Sequence, residues 1–355
     1  MNLLNTIRLS YSARPFFAWQ IELTNRCQLK CRMCIREGSV NWQGRDMKLE
    51  EFRKISEYFN KAENIVLQGW GEPLLYGNLI EAIRIVKERG ARPGFVTSGS
   101  ALGRELVSEL IDSGTDFIGF SLAGATARSH ASIRINSDFE LLLENIRFLN
   151  AVKKEKRLDK PLIHIVYLML KDNIAEVPAI VELAERIGIN DIILTNLIQV
   201  SNEWQEGQRV FTCDKGGVER KYKEILKGAA IRAKELNITL SVPSLSPVNV
   251  PVCGENPLKN IYISVEGEVS PCVYLYPPVP SPFKRTYCGN NFETEKASFG
   301  NIFKEPFNKV WGNHEYAEFR GRFEKRLKGY KRLSLADAGK EPPVQCRTCH
   351  KILGL

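Results

Sequence analysis

Short apolar runs rich in Ile, Val and Phe alternate with segments of helical periodicity along the N-terminal part of the chain. The spacing of Leu79, Ile83 and Val86, for example, predicts one amphipathic helix between two such runs. Alternation of this kind is typical of parallel βα units. The predicted strands cover residues 18–23, 65–68, 94–97, 116–122, 162–168 and 191–196. The sequence therefore predicts an α/β fold with six βα repeats.

Motifs whose residues can bind ligands or take part in a reaction lie at the ends of the first four predicted strands. Cys27 follows the first strand, GWGEP at 69–73 follows the second, TSG at 97–99 follows the third, and SLAG at 121–124 ends the fourth. The C-terminal ends of parallel strands meet at one edge, where βα loops build active sites. We therefore expect these motifs to lie close together.

The first motif contains Cys27, Cys31 and Cys34 in the spacing CxxxCxxC. Three thiolates on one loop can bind three irons of a 4Fe-4S cluster and leave the fourth iron open to another ligand. Structural zinc, the alternative, needs four ligands in a closed site, and no His lies near this loop. The spacing therefore favours an iron-sulfur cluster with one open iron.

This triad after a first strand resembles the signature of the radical S-adenosylmethionine (SAM) superfamily. The resemblance implies a partial (β/α)6 TIM-like barrel and a catalytic cluster held by Cys27, Cys31 and Cys34. In the family, the open iron binds SAM and an electron from the cluster cleaves it to a 5'-deoxyadenosyl radical. That radical then takes a hydrogen atom from the substrate.

The resemblance also implies SAM contacts outside the cysteine loop. GWGEP resembles the family's GGEP motif with Trp70 in place of the second glycine, which assigns binding of the SAM amino group to Gly71 and Glu72. A carboxylate is a charge-assisted acceptor for an ammonium. Ser121 corresponds to a contact with the ribose or carboxylate, and Arg134 to a partner of the carboxylate. A Gly-Glu-Pro turn, a strand-end Ser and a loop Arg also occur without any ligand.

Three further residues are assigned to the same site by the resemblance. Ser98 stands where many relatives have Asn, so its hydroxyl is expected to reach the ligand. Ile35 is expected to contact the adenine, and Leu197, after the sixth strand, to line the same pocket. Ile35 and Leu197 are equally compatible with ordinary core positions.

The C-terminal part is predicted to form a second, smaller unit. A helix over 215–235 is expected to close a barrel domain of residues 1–242, and the proline-containing segment 243–251 leads into an α+β domain of residues 243–355. Residues 260–272 alternate as two strands around Glu266 and Gly267, which predicts a hairpin.

A second set of cysteines, Cys253, Cys272, Cys346 and Cys349, lies in this unit. The first two, with Gly267 between them, resemble the opening of the SPASM/twitch extension of radical SAM enzymes. Four thiolates saturate an auxiliary 4Fe-4S cluster. Only five cysteines follow residue 250, which favours the single-cluster twitch form over a SPASM domain with two auxiliary clusters.

Three cysteine interpretations stay open. Zinc is the alternative at the second set, because His350 follows Cys349 directly. Cys288 is either a replacement ligand or a small buried hydrophobe, and Cys213 is predicted to be the latter. Nine cysteines without an export signal indicate metal ligation rather than disulfides, because a reducing compartment keeps thiols free.

Composition limits the partners. The formal charge of +9 favours anionic molecules, including an acidic electron donor such as flavodoxin or ferredoxin, and nucleic acid is not expected. The basic runs at 153–157 and 325–332 are better explained as solvated helix faces than as binding sites for anionic partners. The chain has no apolar run of about 18 residues and no signal peptide at its start, so we expect a cytoplasmic protein without a membrane anchor.

These features predict a radical SAM oxidoreductase whose auxiliary cluster accepts the electron left on the substrate. The substrate is expected to be a small molecule or cofactor, with modification of a tungsten- or molybdenum-pterin cofactor as one case. The alternatives are a peptide or protein maturase of the RiPP or sulfatase type and a non-enzymatic iron-sulfur scaffold. Candidate substrate residues are Lys171, Asn173, Asn196 and Arg209.

Overall fold

A nine-stranded mixed sheet organises the computed structural model, which describes residues 14–36, 43–214, 216–331 and 341–355. Its strand order is β11-β10-β1-β3-β4-β5-β7-β8-β9. The strands of the sheet are β1 (Phe16–Ile21), β3 (Ala62–Val66), β4 (Arg92–Thr97), β5 (Phe117–Leu122), β7 (Leu162–Met169), β8 (Asp191–Asn196), β9 (Thr239–Ser241), β10 (Asn260–Ile263) and β11 (Val269–Ser270). Two small ladders pair β2 (Lys30–Cys31) with β6 (Arg134–Ile135) and β12 (Phe283–Tyr287) with β13 (Asn290–Thr294).

The helices pack on the sheet with their apolar faces. In order they are α1 (Leu49–Ile55), α2 (Leu79–Glu88), α3 (Arg104–Asp112), α4 (Ala127–Ile133), α5 (Phe139–Glu155), α6 (Val177–Arg186), α7 (Glu203–Gly207), α8 (Arg220–Glu235), α9 (Phe307–Trp311) and α10 (His314–Lys331). The predicted stripe of α2 is buried, including Leu79, Ile83 and Val86. Within the described ranges, no helix is long and apolar enough to cross a bilayer.

The predicted α/β architecture is confirmed, and all six predicted strands form. The pairs β1–β3, β3–β4, β4–β5, β5–β7, β7–β8 and β8–β9 are parallel, so their C-terminal ends share one edge. Strand β9 was not predicted, because its three residues are too few to show a period. The predicted helix over 215–235 begins at Arg220. Residues 1–13, Lys215 and the end of the basic run at Arg332 lie outside the described residues.

The sheet extends across the predicted boundary at residue 242. Strand β10 pairs in parallel with β1, with Ala18 opposite Asn260 and Ile21 opposite Ile263. The predicted hairpin forms between β10 and β11, and Gly267 supplies the positive φ of +84° that its turn requires. The C-terminal unit is thereby attached directly to the strand that precedes the cysteine loop.

Candidate functional site

The cysteine loop follows β1 and brings its three thiols together. Cys27, Cys31 and Cys34 are all free, and the backbone N–H of Cys34 donates to the carbonyl oxygen of Cys31 at 2.9 Å. Burial is the main reason why the pKa of Cys31 is raised to about 11; the charges of Cys34 and Cys27 contribute to the rise, and Arg134 opposes it. Burial also raises the pKa of Cys27. Three close, enclosed sulfurs with no other covalent partner fit three corners of a cluster.

Two arginines border this loop. The ladder of β2 and β6 places Arg134 opposite Cys31, and the N–H of Arg32 donates to the carbonyl of Ile133 at 3.0 Å. The guanidinium of Arg36 donates to the carbonyl of Leu29 at 2.7 Å. Arg134 was predicted from sequence, whereas Arg36 was missed, although it lies only two residues beyond the last cysteine.

The GWGEP loop packs backbone to backbone against the beginning of the cysteine loop. A Cβ on Gly71 would lie 2.3 Å from the carbonyl oxygen of Thr24 and 2.7 Å from that of Arg26. The N–H of Glu72 donates to the same Arg26 carbonyl at 2.8 Å. Only glycine allows this approach, so Gly71 fixes the distance between the two loops.

The carboxylate of Glu72 braces the same loop against the end of β4. It is 3% exposed and accepts from Thr97 Oγ1 at 2.5 Å, from Ser98 N at 2.8 Å and from Leu74 N at 3.2 Å. Its contact with the SAM amino group stays a prediction. The bracing contacts were not foreseen, because they join residues from two different strands.

Two polar atoms beside these loops are buried without any hydrogen-bond partner among the described residues. They are the hydroxyl oxygen of Ser98 and Nε of Arg134. Buried polar atoms are nearly always paired in folded proteins, so unpaired ones beside these loops are consistent with a ligand group that pairs with them. A donor hydroxyl and a guanidinium fit the carboxylate and ribose of SAM. Ser121, in register with Val166 within the sheet, is half-buried near the end of β5.

The predicted apolar contacts lie close by. Ile35 is buried directly after the last cysteine. Leu197 packs in a small cluster with Ala123 and Ile133, and Met33 from the cysteine loop packs against this cluster. Leu197 therefore borders the cysteine loop, as the prediction requires, and its contact with SAM stays a prediction.

Replacing Gly71 with Ala is expected to weaken SAM binding by about tenfold or more, because the new methyl group must push the GWGEP loop away from Thr24 and Arg26. Overpacking of this kind costs on the order of 1–3 kcal/mol. The measurement is equilibrium dialysis of SAM with cluster-loaded protein. Gly77→Ala is the matched control, since a Cβ at Gly77 meets no atom within 4 Å. Equal SAM affinity of the two variants would contradict the role given to Gly71.

The second cysteine set also gathers at one place. Cys253, Cys272, Cys346 and Cys349 are free, and the N–H of Cys349 donates to the carbonyl of Cys346 at 3.1 Å. Burial is the main reason why the pKa of Cys253 is raised to about 12, and the neighbouring Glu255 and Cys349 contribute to this rise. Burial likewise raises the pKa of Cys272 and Cys346. Four enclosed sulfurs without a disulfide suit a cluster, which binds them as thiolates.

Trp70 joins the two cysteine sites. Its indole Nε1 donates to the carbonyl of Val273 at 3.3 Å, one residue after Cys272, and its ring meets Tyr274 edge-on with centroids 6.4 Å apart. The residue that departs from the family's motif therefore connects the GWGEP loop to the second cysteine site. The partners are separated by about 200 positions in sequence, so no local pattern predicts the contact.

Glu22 stabilises the same contact between the GWGEP loop and the C-terminal unit. Its carboxylate accepts from the backbone N–H of Trp70 at 2.7 Å and of Val265 at 3.3 Å. Burial raises the pKa of Glu22 to about 7, although both hydrogen bonds oppose the shift. A Cβ on Gly69 would lie 2.4 Å from this side chain, which explains the first glycine of the motif.

A cavity of about 360 Å³ contains two of the four candidate substrate residues, Lys171 and Arg209. The side chains of the other two, Asn173 and Asn196, form hydrogen bonds with backbone groups. The side chain of Asn173 accepts from Leu170 N at 2.7 Å and donates to the carbonyl of Ala123, and Asn196 donates to the carbonyl of Ser244. These contacts make Asn173 a loop-fixing residue rather than a substrate contact.

At the same cavity, a disulfide shows that the prediction for Cys213 and Cys288 was wrong, and that the expectation of metal ligation rather than disulfides fails for this pair. The two form a disulfide, with Cα atoms 5.7 Å apart, and both line the cavity. They are separated by 75 positions, and the hairpin of β12 and β13 brings them together. His350, which the zinc alternative assigned to the second cysteine set, lies against Cys288 instead.

Comparison with known families supports both cysteine sites. Residues 21–184 match the model of the radical SAM superfamily, and residues 253–350 match the SPASM model of an iron-sulfur cluster-binding domain. The matched ranges contain the two cysteine sets respectively.

Two curated relatives cover most of the chain. A tungsten-containing aldehyde ferredoxin oxidoreductase cofactor-modifying protein of Pyrococcus furiosus is 26% identical over 309 residues, covering 84% of this chain and 82% of the relative. A probable GTP 3',8-cyclase of Metallosphaera sedula is 26% identical over 271 residues, covering 74% of this chain and 82% of that protein.

Solved structures share the fold at low sequence identity. SuiB of Streptococcus suis bound to S-adenosylmethionine has a TM-score of 0.66 at 15% identity, covering 93% of this chain and 73% of that one. Native anSMEcpe with bound AdoMet has a TM-score of 0.60 at 15% identity, covering 85% of this chain and 82% of that one. These similarities show the arrangement of the sheet and its helices.

Proposed function

We propose that this chain, which belongs to the radical SAM superfamily and carries an iron-sulfur SPASM domain at its C-terminal end, is an oxidoreductase acting on a small molecule or cofactor. The observation that carries the proposal is the direct link through Trp70 between the loop assigned to SAM and the residues after Cys272. When bound, the clusters and SAM supply a 5'-deoxyadenosyl radical and an acceptor for one electron.

Residues of the chain itself form the site for the first cluster and SAM. Cys27, Cys31 and Cys34 hold the SAM-binding cluster, and Gly71 allows the GWGEP loop to approach their loop closely. The hydroxyl of Ser98 and Nε of Arg134, which are buried without a hydrogen-bond partner among the described residues, are polar groups available to SAM. Such fixed donors orient the ligand without reorganisation at the moment of reaction.

A second cluster beside the SAM site favours oxidation over a simple hydrogen shift. Removal of a hydrogen atom from a carbon that bears a hydroxyl or similar group leaves a substrate radical. Loss of one further electron and a proton from that radical completes a two-electron oxidation. Cys253, Cys272, Cys346 and Cys349 hold the group that takes this electron. An acidic flavodoxin or ferredoxin is the proposed external electron donor, because the chain carries a charge of +9.

The proposed substrate is an anionic cofactor, with a tungsten- or molybdenum-pterin cofactor as the leading case. The name of the Pyrococcus furiosus relative refers to modification of a tungsten enzyme's cofactor, and that relative aligns with 84% of this chain. A basic protein attracts phosphorylated ligands. The proposed location is a reducing cytoplasm, because two oxygen-sensitive clusters require one, although the Cys213–Cys288 disulfide does not itself indicate it.

The test is formation of 5'-deoxyadenosine by reduced, cluster-loaded protein in the presence of SAM. A tungsten-pterin cofactor is expected to raise its rate by about tenfold, because bound substrate consumes the radical that otherwise recombines or is quenched. GTP and a mixture of cysteine-containing peptides are the comparison compounds. Stimulation by peptides alone would overturn the proposed substrate and support a maturase, and stimulation by GTP alone would support a cyclase.

A further inference from the structure

Three side chains outside both cysteine sites form a compact group of metal-binding donors. The sulfurs of Cys213 and Cys288 and a ring nitrogen of His350 all lie within 4.8 Å of one another. Cys213 follows α7, Cys288 lies at the tip of the β12–β13 hairpin, and His350 follows Cys349. Thiolate sulfur and imidazole nitrogen are the donors that zinc prefers in proteins.

His350 is oriented as metal-binding histidines usually are. Its Nδ1 lies 3.3 Å from the carbonyl oxygen of Ile198, which can only accept, so Nδ1 carries the proton. The lone pair of Nε2 then faces the hairpin tip and accepts a long hydrogen bond of 3.4 Å from the N–H of Cys288, which a metal ion bound at Nε2 would replace. The ring is fully buried and is fixed by Phe211 and Tyr287, with centroids 5.0 and 5.1 Å away. A backbone carbonyl on the distal nitrogen commonly fixes such a ligand.

Cys288 occupies a backbone position that disfavours cysteine. Cys288 and Gly289 form a two-residue turn with φ of +50° and +83°. Turns of this kind favour Asn, Asp or Gly, because at positive φ the Cβ atom lies too close to a backbone carbonyl oxygen, a clash that Gly lacks and that Asn and Asp offset with local hydrogen bonds. A strained residue with a chemically capable side chain indicates a role for that side chain.

The group opens onto solvent through the cavity described above. Cys213 and Cys288 line this cavity of about 360 Å³ together with Lys171, Arg209 and Asp214. Nη1 of Arg209 lies 3.9 Å from the sulfur of Cys213 and donates toward it, an arrangement that favours negative charge on the sulfur. The two sulfurs lie at the cavity wall, whereas His350 is fully buried. A donor set whose sulfurs face an open cavity leaves room for a fourth ligand, as in catalytic zinc sites.

We propose that Cys213, Cys288 and His350 form a third, redox-gated metal site that binds one Zn²⁺ ion when the disulfide is reduced. Reduction by a dithiol adds two electrons and two protons and breaks the S–S bond, giving two thiols and an oxidised dithiol. Binding of Zn²⁺ then releases both protons, and water or a group in the cavity takes the fourth position. The disulfide and the metal exclude each other because they use the same two sulfurs.

The test is zinc uptake by the full chain with both clusters loaded, measured anaerobically by equilibrium dialysis against a chelator-buffered Zn²⁺ series and elemental analysis. Reduced protein is expected to bind one zinc ion per chain more than protein with the disulfide intact. Cys213→Ser and His350→Gln are expected to weaken this binding at least tenfold. His314→Gln, which changes an exposed histidine, is the matched control and should bind as the parent does.

Iron content and thiol labelling separate this site from the clusters. Unchanged iron shows that zinc has not displaced a cluster, and zinc should protect Cys213 and Cys288 from alkylation, read by peptide mass spectrometry. Cys213→Ser lies away from the second cysteine set in sequence and remains informative if His350→Gln loses iron. Failure of reduced protein to take up extra zinc, or equal uptake by Cys213→Ser, would overturn the proposal.

Discussion

Changing Cys27, Cys31 and Cys34 together to Ala is expected to abolish formation of 5'-deoxyadenosine and to lower the iron content from about eight to about four atoms per chain. The physical reason is that these three residues are the predicted protein ligands of the SAM-binding cluster, whereas Cys253, Cys272, Cys346 and Cys349, which are also free, are the predicted ligands of a separate cluster. The measurements are iron analysis after anaerobic reconstitution and chromatography of the products formed from SAM.

The reciprocal variant is the control. Changing Cys253 and Cys272 to Ala should also leave about four irons, but with SAM cleavage retained. An unchanged iron content in the first triple variant would show that the loop after β1 does not bind a cluster. Loss of nearly all iron in that variant would instead show that the two sites fold as one unit.

Local patterns in the sequence were sufficient to predict the strands and to single out both cysteine sets, whose role as cluster ligands stays a prediction. Apolar runs of period two and ligand spacings such as CxxxCxxC are encoded within a few residues, so they can be recognised without a structure. The positions of β5 and β8 were predicted to within one residue. The turn at Gly267 was predicted for the same reason.

Contacts between distant segments could not be predicted. The pairing of β10 with β1 joins residues 242 positions apart, as the bond from Ala18 N to Asn260 Oδ1 also shows. The Cys213–Cys288 disulfide and the contact of Trp70 with Val273 depend on that docking of the C-terminal unit. Nothing near these residues in sequence specifies their partners, since burial of apolar surface drives the docking without directional information.

Replacing Cys349 with Ala is expected to leave SAM cleavage in place but to abolish formation of the oxidised product. If the second cluster accepts the substrate's electron, that electron passes to the site that Trp70 contacts. Loss of the cluster then leaves the substrate radical without an electron acceptor. The ratio of oxidised product to 5'-deoxyadenosine should then fall from near one to about zero, the limit set by one hydrogen abstraction per SAM cleaved. Both products are quantified from the same reaction mixture.

Arg347→Ala is the matched control for this variant, because Arg347 is exposed and lies in the same turn between Cys346 and Cys349. It should keep the iron content and the product ratio of the parent. A purely structural metal site predicts a different pattern for Cys349→Ala, namely a lower melting temperature with an unchanged product ratio, since structural metal binding contributes directly to folding free energy. That result, in folded protein that still cleaves SAM, would refute the electron-acceptor role and remove the main reason to regard this enzyme as an oxidoreductase.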